Sequence, residues 1–412
     1  MTGPAGPVSV TVIGCDGQPL PPAAAHALAA ASAVAGAPRL LAISALPAEA
    51  EHIPIKRLDL ALDTICAHPG PVAVLASGDP GFFGIVRALR ARGCTPVVFP
   101  AVSSVALAFA RLGLDWDDAL VLSAHGREAG PVAAAALAHP KAAILTGPSE
   151  AGTGALRSAL RDAGRTIYVA ERLGAPDERV RDLTTDPAAE VTDPHVLISL
   201  APTPVGRAGP RWLAGHTGAP PAWALPEADF DHRDSMITKP EVRALALARL
   251  GPGPGRTVWD IGAGSGSVAV ECARFGAWAV AVEADPAQCD RIRGNAARHG
   301  VLLRVVRGRA PEALAGLPAP DAIFAGGGGA VLEAAVEAGS PARVVVTLAS
   351  VDRVRPVCDL LTGLGYTPEG TQLQASRLAA LPGGSLRLAA LNPVFILWAD
   401  RAPTGHPAGG PS

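Results

Sequence analysis

The stretch Val258-Trp259-Asp260-Ile261-Gly262-Ala263-Gly264-Ser265-Gly266 decides the fold of the C-terminal half of this 412-residue chain. An apolar strand pattern runs into alternate glycines, an apolar helix pattern follows, and the next strand pattern ends at Ala281-Val282-Glu283. Two strands joined by a glycine turn and a helix form a parallel βαβ unit. The stretch therefore predicts a Rossmann-like α/β domain with a ligand site at the glycine turn.

The spacing of the glycines favours S-adenosylmethionine (AdoMet) over a dinucleotide as the ligand. A pyrophosphate site would have the pattern G-x-G-x-x-G, whereas residues 262–266 have G-x-G-x-G. A turn without side chains lets the backbone approach the methionine carboxylate and present helix amides to it. Glu283 is placed to accept hydrogen bonds from both ribose hydroxyls, and Asp260 to orient the loop or the methionine amine.

Strand and helix patterns also alternate before the C-terminal domain, which predicts a second, largely parallel α/β domain. Its predicted strands are residues 8–14, 71–76, 96–99, 119–123, 141–146, 166–170 and 195–200. Residues 22–35 are helical by composition. We predict an N-terminal domain at 1–202, a proline- and glycine-rich linker at 203–225, a C-terminal domain at 226–402 and a disordered tail at 403–412.

The strands of the C-terminal domain and its first helix can also be predicted from the sequence. Its strands are expected at 256–261, 278–283, 302–306, 320–325, 342–348, 371–379 and 392–399. Because no helix pattern separates the last two, the sheet should close with an antiparallel last strand. Thr238-Lys239-Pro240-Glu241 predicts a capping box that opens a helix to about residue 250.

Composition excludes several classes of function. The net charge of −2 gives no basic surface for nucleic acid. The sequence contains no uncharged stretch of about 18 apolar residues, so we predict no membrane span. Six cysteines without a C-x-x-C pair, and without histidines at ligand spacing, predict reduced thiols and no metal site. The N-terminus runs into a strand pattern without a basic region, so we expect a cytoplasmic protein.

Four motifs give the C-terminal half a specific resemblance. Ile237–Arg243, Asp260–Gly266, Gly308–Glu312 and Phe324–Gly328 together resemble the precorrin carbon-15 methyltransferases (decarboxylating) of cobalamin synthesis. The resemblance implies that AdoMet is bound by Thr238, the loop Gly262–Gly266, Glu283 and Ala310. Many AdoMet enzymes have an acid where this chain has Arg309, so we assign Arg309 no cofactor role.

The N-terminal half resembles a different family. Ser77-Gly78-Asp79-Pro80-Gly81, Phe99–Ser104 and Leu122–Arg127 are similar to motifs of the tetrapyrrole (corrin/porphyrin) methylases, in their precorrin carbon-5 branch. The resemblance implies two α/β lobes with an AdoMet cleft between them. It places the residues Gly14, Ser77, Gly78, Asp79, Ser103 and Ser104 in that cleft. Thr146-Gly147-Pro148 of the second lobe would reach the adenosine.

No residue is assigned to the chemical step, but several are candidates for binding substrate carboxylates. They are Arg243 and the loop glycines Gly326, Gly327 and Gly328 in the C-terminal domain, and His125 and Arg127 in the N-terminal domain. A glycine-rich loop offers backbone amides to an anion, and arginine pairs with carboxylates. His125 is also a candidate for catalysis, although a lone histidine is more often structural.

The joined resemblance is to the precorrin-6B C(5,15)-methyltransferases (decarboxylating). It implies methylation at ring carbons 5 and 15 and loss of CO2 from the carbon-12 acetate, giving precorrin-8, with AdoMet bound at two sites. Expected partners are this tetrapyrrole and further copies of the chain. Two alternatives stay open. In the first, the C-terminal half methylates tRNA or protein. In the second, the N-terminal domain is not an enzyme and only binds and presents the substrate.

Overall fold

The computed structural model describes residues 9–42, 46–147, 150–186, 189–202, 222–234 and 236–401. They form two compact units, one within 1–126, 142–150 and 166–200, the other within 127–141, 151–165 and 201–412. Most of the predicted linker and the whole predicted tail fall outside the described residues. The domain boundaries at 202 and 226 stay a prediction.

A parallel sheet opens the first unit. Its elements are β1 (Val10–Cys15), α1 (Pro22–Ala29), β2 (Ala33–Gly36), α2 (Pro38–Leu41), β3 (Glu51–Pro54), α3 (Leu58–Ala67), β4 (Val72–Ser77), α4 (Ile85–Ala91), β5 (Val97–Phe99) and α5 (Ser104–Leu112). The five strands lie in the order β3-β2-β4-β1-β5, and every neighbouring pair is parallel. The carboxyl ends of β1, β4 and β5 therefore meet at one edge.

Helices on this sheet bury its β-branched residues, as expected for a parallel sheet. Val12 and Val74 are fully buried against Leu62 and Ile65 of α3. The predicted helix over 22–35 is wrong at its end, because Ala33–Gly36 forms the buried strand β2. Alanine and glycine fill a strand whose two faces are both covered.

A mixed sheet completes the first unit. The elements that follow α5 are β6 (Leu120–Ser123), α6 (Ala129–Leu137), β7 (Lys141–Leu145), α7 (Glu150–Asp162), β8 (Thr166–Glu171), β9 (Arg179–Asp182) and β10 (His195–Leu200). By residue range, α6 and nearly all of α7 belong to the second unit, and the strands form the sheet of the first. The strand order is β6-β7-β10-β8-β9, with β6 and β7 parallel and β8 antiparallel to both β10 and β9. Phe109 of α5 packs against Val196 and Ile198 of β10.

The second unit holds the predicted Rossmann-like sheet. Its elements are α8 (Pro240–Leu250), β11 (Thr257–Ile261), α9 (Ser267–Arg274), β12 (Trp278–Glu283), α10 (Pro286–Arg298), β13 (Arg304–Arg307), β14 (Ala322–Ala325), α11 (Ala330–Gly339), β15 (Arg343–Leu348), α12 (Val354–Gly363), β16 (Tyr366–Leu373), β17 (Ser376–Ala380), β18 (Leu386–Ala390) and β19 (Val394–Arg401). Seven strands lie in the order β13-β12-β11-β14-β15-β19-β16.

The antiparallel closure of this sheet is confirmed, since β19 runs antiparallel to both β15 and β16. The single strand predicted at 371–379 is divided between β16 and β17. Strand β17 leaves the main sheet and pairs only with β18, around a turn that contains Gly383 and Gly384 at φ +84°. Those two glycines adopt the left-handed conformation that the turn needs.

Helix α8 begins differently from its prediction. Lys239 is the N-cap residue, and no side chain caps the helix, so the capping box of Thr238 and Glu241 does not form. Glu241 instead accepts two 2.9 Å hydrogen bonds from Arg377 of β17. A tertiary ion pair with Arg377 has replaced the predicted local capping hydrogen bond of Glu241. Among the described residues, none of the helices is long and apolar enough to cross a membrane.

Candidate functional site

The first candidate site lies at the carboxyl edge of the sheet in the second unit. Strand β11 is central, with Ile261 in register with Val282 of β12 on one side and Ala325 of β14 on the other. The glycine turn 262–266, Glu283 and the loop 326–329 thus leave three adjacent strands at the same edge. In an open α/β sheet this edge is where ligands bind.

The glycine turn leaves open space where side chains would stand. Gly262, Gly264 and Gly266 have φ values of +71°, +55° and +72°. A Cβ atom at Gly262 or Gly264 would meet no atom within 4 Å, whereas one at Gly266 would come within 2.9 Å of Ile292. Gly262 and Gly264 thus line an open cradle, and Gly266 is required for packing.

Glu283 holds the edge of this cradle. One carboxylate oxygen accepts a 2.8 Å hydrogen bond from the Gly264 amide, and the other accepts bonds from the amides of Ala284 and Asp285 at 2.8 and 2.9 Å. A carboxylate has about four acceptor sites, so capacity remains for a ligand hydroxyl. The open cradle beside an oriented carboxylate fits the methionine and ribose parts of AdoMet.

Asn295 is a residue of this site that the sequence analysis missed. It is fully buried in α10, and its side-chain amide donates 2.9 Å hydrogen bonds to the carbonyls of Ser265 and Asp231. Its side-chain oxygen accepts from the Asp231 amide at 2.7 Å. Asn295 therefore ties the glycine turn to the segment before α8. A buried asparagine in a polar helix carries no sequence signal that names its partners.

Asp260 supports the turn from within. Its carboxylate is buried and accepts a 3.0 Å hydrogen bond from the Ala269 amide in the first turn of α9. Burial raises the pKa of Asp260 to about 7, and the negative charge of Glu283 acts in the same direction. The position fits the predicted role in orienting the loop.

This raised pKa predicts a pH-dependent stability. An unfolded aspartate has a pKa of about 3.9, so between about pH 4 and 7 the native state binds more protons than the unfolded state. The contribution of Asp260 to stability is therefore present below pH 4 and is lost as the pH rises through 7. Asp260→Asn should flatten this part of the profile. The measurement is the melting temperature of the full chain at pH 5 and pH 8.

The control for that measurement is Asp290→Asn, because Asp290 is an exposed carboxylate on α10. It should leave the difference between the two melting temperatures unchanged. Equal profiles for Asp260→Asn and the wild type would show that Asp260 does not carry the effect.

The structure corrects the prediction that Arg243 binds a substrate carboxylate. Arg243 is 0% exposed, and its Nε atom donates a 2.7 Å hydrogen bond to Glu271, which is also 0% exposed. Its other donors reach the carbonyls of Thr238, at 2.6 Å, and Leu225. Glu271 in turn accepts from the amides of Ala224 and Leu225 at 2.7 and 2.9 Å. Arg243 is a structural residue.

The other predicted residues of this half lie around the same edge. The Gly308 amide donates to the Glu283 carbonyl at 2.9 Å, which brings the Gly308–Ala310 turn beside Glu283. Ile237, which precedes Thr238, packs with Val270 of α9. In the loop after β14, Gly326 is exposed, Gly327 has φ +135° and Gly328 is packed against Val357. Their role toward carboxylates stays a prediction.

The second candidate site is a cavity of about 460 Å³ in the first unit. The predicted residues Ser77, Asp79, Ser103, Ser104, His125 and Thr146 line it. Arg127 is exposed and is not among the lining residues, and Pro148 lies outside the described residues. A cavity of this volume lies within the range of small-molecule sites, which supports the fit of a nucleoside-sized cofactor.

Close backbone approach shapes this cavity at Gly14. A Cβ atom there would lie 2.6 Å from the Gly78 carbonyl oxygen and 2.7 Å from the Ala101 amide. The Gly78 amide also donates to the Cys15 carbonyl at 2.7 Å. Gly14 therefore lets the loops after β4 and β5 meet over the end of β1. We find a packing role for Gly14, not a direct contact with the cavity.

The polar groups of the cavity are oriented by local hydrogen bonds. Asp79 accepts a 2.8 Å bond from the Gly81 amide, which fixes the loop after β4. Ser103 is the N-cap of α5 and accepts from the Ala106 amide at 3.1 Å, and Ser104 begins the helix. A helix N-terminus at the wall of a cavity favours an anionic group such as the methionine carboxylate.

Two further cavity residues escaped prediction from sequence. His195 begins β10 with its Nδ1 atom 2.9 Å from a carboxylate oxygen of Asp193. Phe83 has a left-handed backbone at φ +51° and an exposed ring packed edge-on against Phe82. The sequence around Phe83 indicates only a loop, and that around His195 only the start of a strand. Neither pattern shows that the two residues meet at one cavity.

Comparisons with known proteins follow the same division of the chain. The model of the tetrapyrrole (corrin/porphyrin) methylases matches residues 12–188, and that of the precorrin methyltransferase domain matches residues 229–395. A precorrin-6Y C(5,15)-methyltransferase (decarboxylating) from Sinorhizobium sp is 41% identical over 341 residues, which cover 79% of each chain. The chain belongs to the precorrin-6Y C(5,15)-methyltransferase family.

Further relatives match parts of the chain. The precorrin-6Y C(5,15)-methyltransferase of Mycobacterium tuberculosis (strain CDC 1551 / Oshkosh) is 38% identical over 62% of this chain and 63% of its own. The solved C-terminal domain of the enzyme from Rhodobacter capsulatus is 32% identical, covers 43% of this chain and 97% of its own, and has a TM-score of 0.39. Membership of the family makes the chain a methyltransferase of a family that uses AdoMet, and the sheets described above confirm the predicted α/β fold class.

Proposed function

We propose that this chain methylates precorrin-6B at ring carbons 5 and 15 and decarboxylates its carbon-12 acetate, giving precorrin-8. The observation that carries the proposal is a separate candidate cofactor site in each unit: the 460 Å³ cavity of the first and the open glycine cradle beside Glu283 of the second. Two AdoMet sites in one chain suit a substrate that is methylated twice. We assign no metal to either site.

In the second unit, we assign carbon-15 methylation and decarboxylation to the edge that carries Glu283. Bound AdoMet supplies a methyl group already activated on a sulfonium. Glu283 would hold the ribose, and the open space at Gly262 and Gly264 would admit the methionine part. The backbone amides of the Gly326–Gly328 loop, which follows the neighbouring strand β14, would bind substrate carboxylates.

In the first unit, we assign carbon-5 methylation to the cavity. Ser103, Ser104 and the N-terminus of α5 would bind the methionine carboxylate, and Thr146 on the opposite sheet would face the adenosine. Asp79 would position the amine from its fixed loop. Placement and exclusion of water are sufficient for such a transfer, so a conspicuous catalytic group is not required.

The proposed reactions balance without another reactant. Each methylation breaks a sulfonium–carbon bond, forms a carbon–carbon bond and releases the ring proton that the methyl replaces. Decarboxylation breaks the bond between the acetate methylene and its carboxylate, releases CO2 and consumes one proton. The electrons left by CO2 remain on the macrocycle, so decarboxylation and methylation at a nearby carbon can share one site.

Mass analysis of the product tests this function. Purified full-length protein with AdoMet and precorrin-6B should give a product with two added methyl groups and one lost CO2. Ser104→Trp, which fills the cavity in the first unit, should give one methyl and loss of CO2. Any other outcome for the wild type contradicts the assignment, and transfer of labelled methyl to bulk tRNA or protein would support the alternative function.

We also propose that the protein works in the cytoplasm as a homo-oligomer. The β17–β18 hairpin exposes three leucines, Leu378, Leu386 and Leu388, at 71%, 62% and 68%. A contiguous apolar face of this kind is typical of association surfaces. Light scattering of the full chain tests the state, and a monomer at micromolar concentration would contradict it.

A further inference from the structure

A second, smaller cavity adjoins the proposed AdoMet cavity of the first unit. Its volume is about 300 Å³. Arg39, Ser77, Leu173 and Pro194 line both cavities, so the two spaces share a wall at these residues. The smaller cavity lies beside the carboxyl ends of β1 and β4, where Cys15 and Ser77 line it.

Arg39 stands at the junction of the two cavities. It comes from the short helix α2, and no side-chain hydrogen bond or ion pair joins it to any residue that the structure describes. Partial burial and the positive charge of Arg172 lower the pKa of its guanidinium. Two cations thus face one small space, and an anion there would relieve their repulsion.

Arg172 is held in place by its backbone. It has φ +50°, a conformation that costs energy for a residue other than glycine, and its amide donates to the Pro194 carbonyl at 2.8 Å. The following loop is pressed against the first loop, since a Cβ at Gly17 would lie 2.0 Å from the Gly174 carbonyl oxygen. The strained backbone therefore presents Arg172 to the cavity from a fixed loop.

The acids near the cavity are already engaged. Asp16 accepts hydrogen bonds from the amides of Gln18 and Val102 at 3.1 and 3.2 Å. Asp193 is paired with His195 at 2.9 Å. Asp177, which does not line the cavity, lies 2.6 Å from the Nε atom of Arg172. The other two nitrogens of that guanidinium remain for a ligand. Asp16 and Asp193 also line the cavity and keep their negative charge, but neither forms an ion pair with Arg39 or Arg172 among the described residues, so both guanidinium groups keep donors for an anion.

We propose that Arg39 and Arg172 bind a carboxylate side chain of the tetrapyrrole substrate in this smaller cavity. The inference rests on the proposed function, because the ligand is then a polycarboxylated macrocycle whose acetate and propionate groups need cationic partners. Guanidinium groups bind carboxylates through paired hydrogen bonds. A side chain anchored at Arg39 would hold the ring at the mouth of the larger cavity, against the methyl donor.

Arg39→Ala tests the proposal in the full chain with precorrin-6B and AdoMet. The KM of precorrin-6B for carbon-5 methylation should rise about 10- to 100-fold, the range expected when a hydrogen bond to a charged group is lost. The dissociation constant of AdoMet, measured by calorimetry, and the melting temperature should not change. Arg39→Lys, which keeps the charge, should recover part of the loss. Product mass should show substrate that has lost CO2 but gained only one methyl.

The matched control is Arg90→Ala, which removes an exposed arginine of α4 that lines neither cavity. It should behave as the wild type. An unchanged KM in Arg39→Ala, or an equal loss of AdoMet affinity, would overturn the carboxylate assignment. Failure of the proposed function is a different result, because the wild type itself would then not methylate precorrin-6B.

Discussion

Replacement of Arg243 by methionine should destabilise the second unit by about 3–5 kcal/mol, the cost of removing one partner of a buried ion pair. Glu271 would keep the amides of Ala224 and Leu225 but lose its hydrogen-bonded cationic partner, and only Arg274, 3.6 Å away, would remain as a cation beside it. The carbonyls of Thr238 and Leu225 would lose their donors as well. The measurement is the free energy of unfolding in urea, followed in the full chain.

The control for Arg243→Met is Arg355→Met. Arg355 forms an exposed i,i+4 pair with Asp359 on α12, and its loss should cost less than about 1 kcal/mol. Equal effects of the two substitutions would contradict the structural role of Arg243. Full stability of Arg243→Met with weakened binding of precorrin-6B would restore the role in carboxylate binding that the sequence predicted.

Replacement of Glu283 by alanine should weaken AdoMet binding at the second unit by about 10- to 100-fold. A hydrogen bond to a charged group contributes about 1.5–3 kcal/mol, and the carboxylate of Glu283, which already accepts from three backbone amides, keeps capacity for one ribose hydroxyl. The substitution would also release the Gly264 amide and loosen the turn. Calorimetry of the full chain should then find one tight AdoMet site instead of two.

Two variants sharpen the Glu283 experiment. Glu337→Ala removes an exposed carboxylate of α11 and should leave both sites intact. Glu283→Gln keeps an acceptor without the charge and should lose less affinity than the alanine variant. Two unchanged AdoMet sites in Glu283→Ala would place the second cofactor elsewhere.

Prediction of the fold from sequence succeeded where local pattern and tertiary structure agree. The apolar pattern of Val258–Ile261 before the glycines predicted the buried strand, and glycine suits the left-handed turn that follows. It failed at Ala33–Gly36, because alanine is compatible with a helix and with a strand covered on both faces. It failed again at 371–379, where only the pairing of β17 with β18 separates the two strands.

Prediction of the site had the same limit. Glu283 and the glycine cradle lie at the ends of two consecutive strands of one βαβ unit. Their proximity can therefore be predicted from a short stretch of sequence. The partner of Arg243 is Glu271, 28 residues away, and a long cation gives no sign of whether it faces substrate or core. His195 and Arg172 reach their cavities through turns far from the recognised motifs. Convergence of distant loops is fixed by packing, which a single sequence does not display.

The hydrogen bonds from Ala224 and Leu225 to Glu271 also determine where the second unit can be cut from the chain. Glu271 lies in the helix that follows the glycine turn, so these two residues fold as part of that unit although their composition is that of a linker. A fragment that starts at residue 226 would leave the Arg243–Glu271 pair without its cover. Separate expression of this methyltransferase should therefore begin upstream of residue 222.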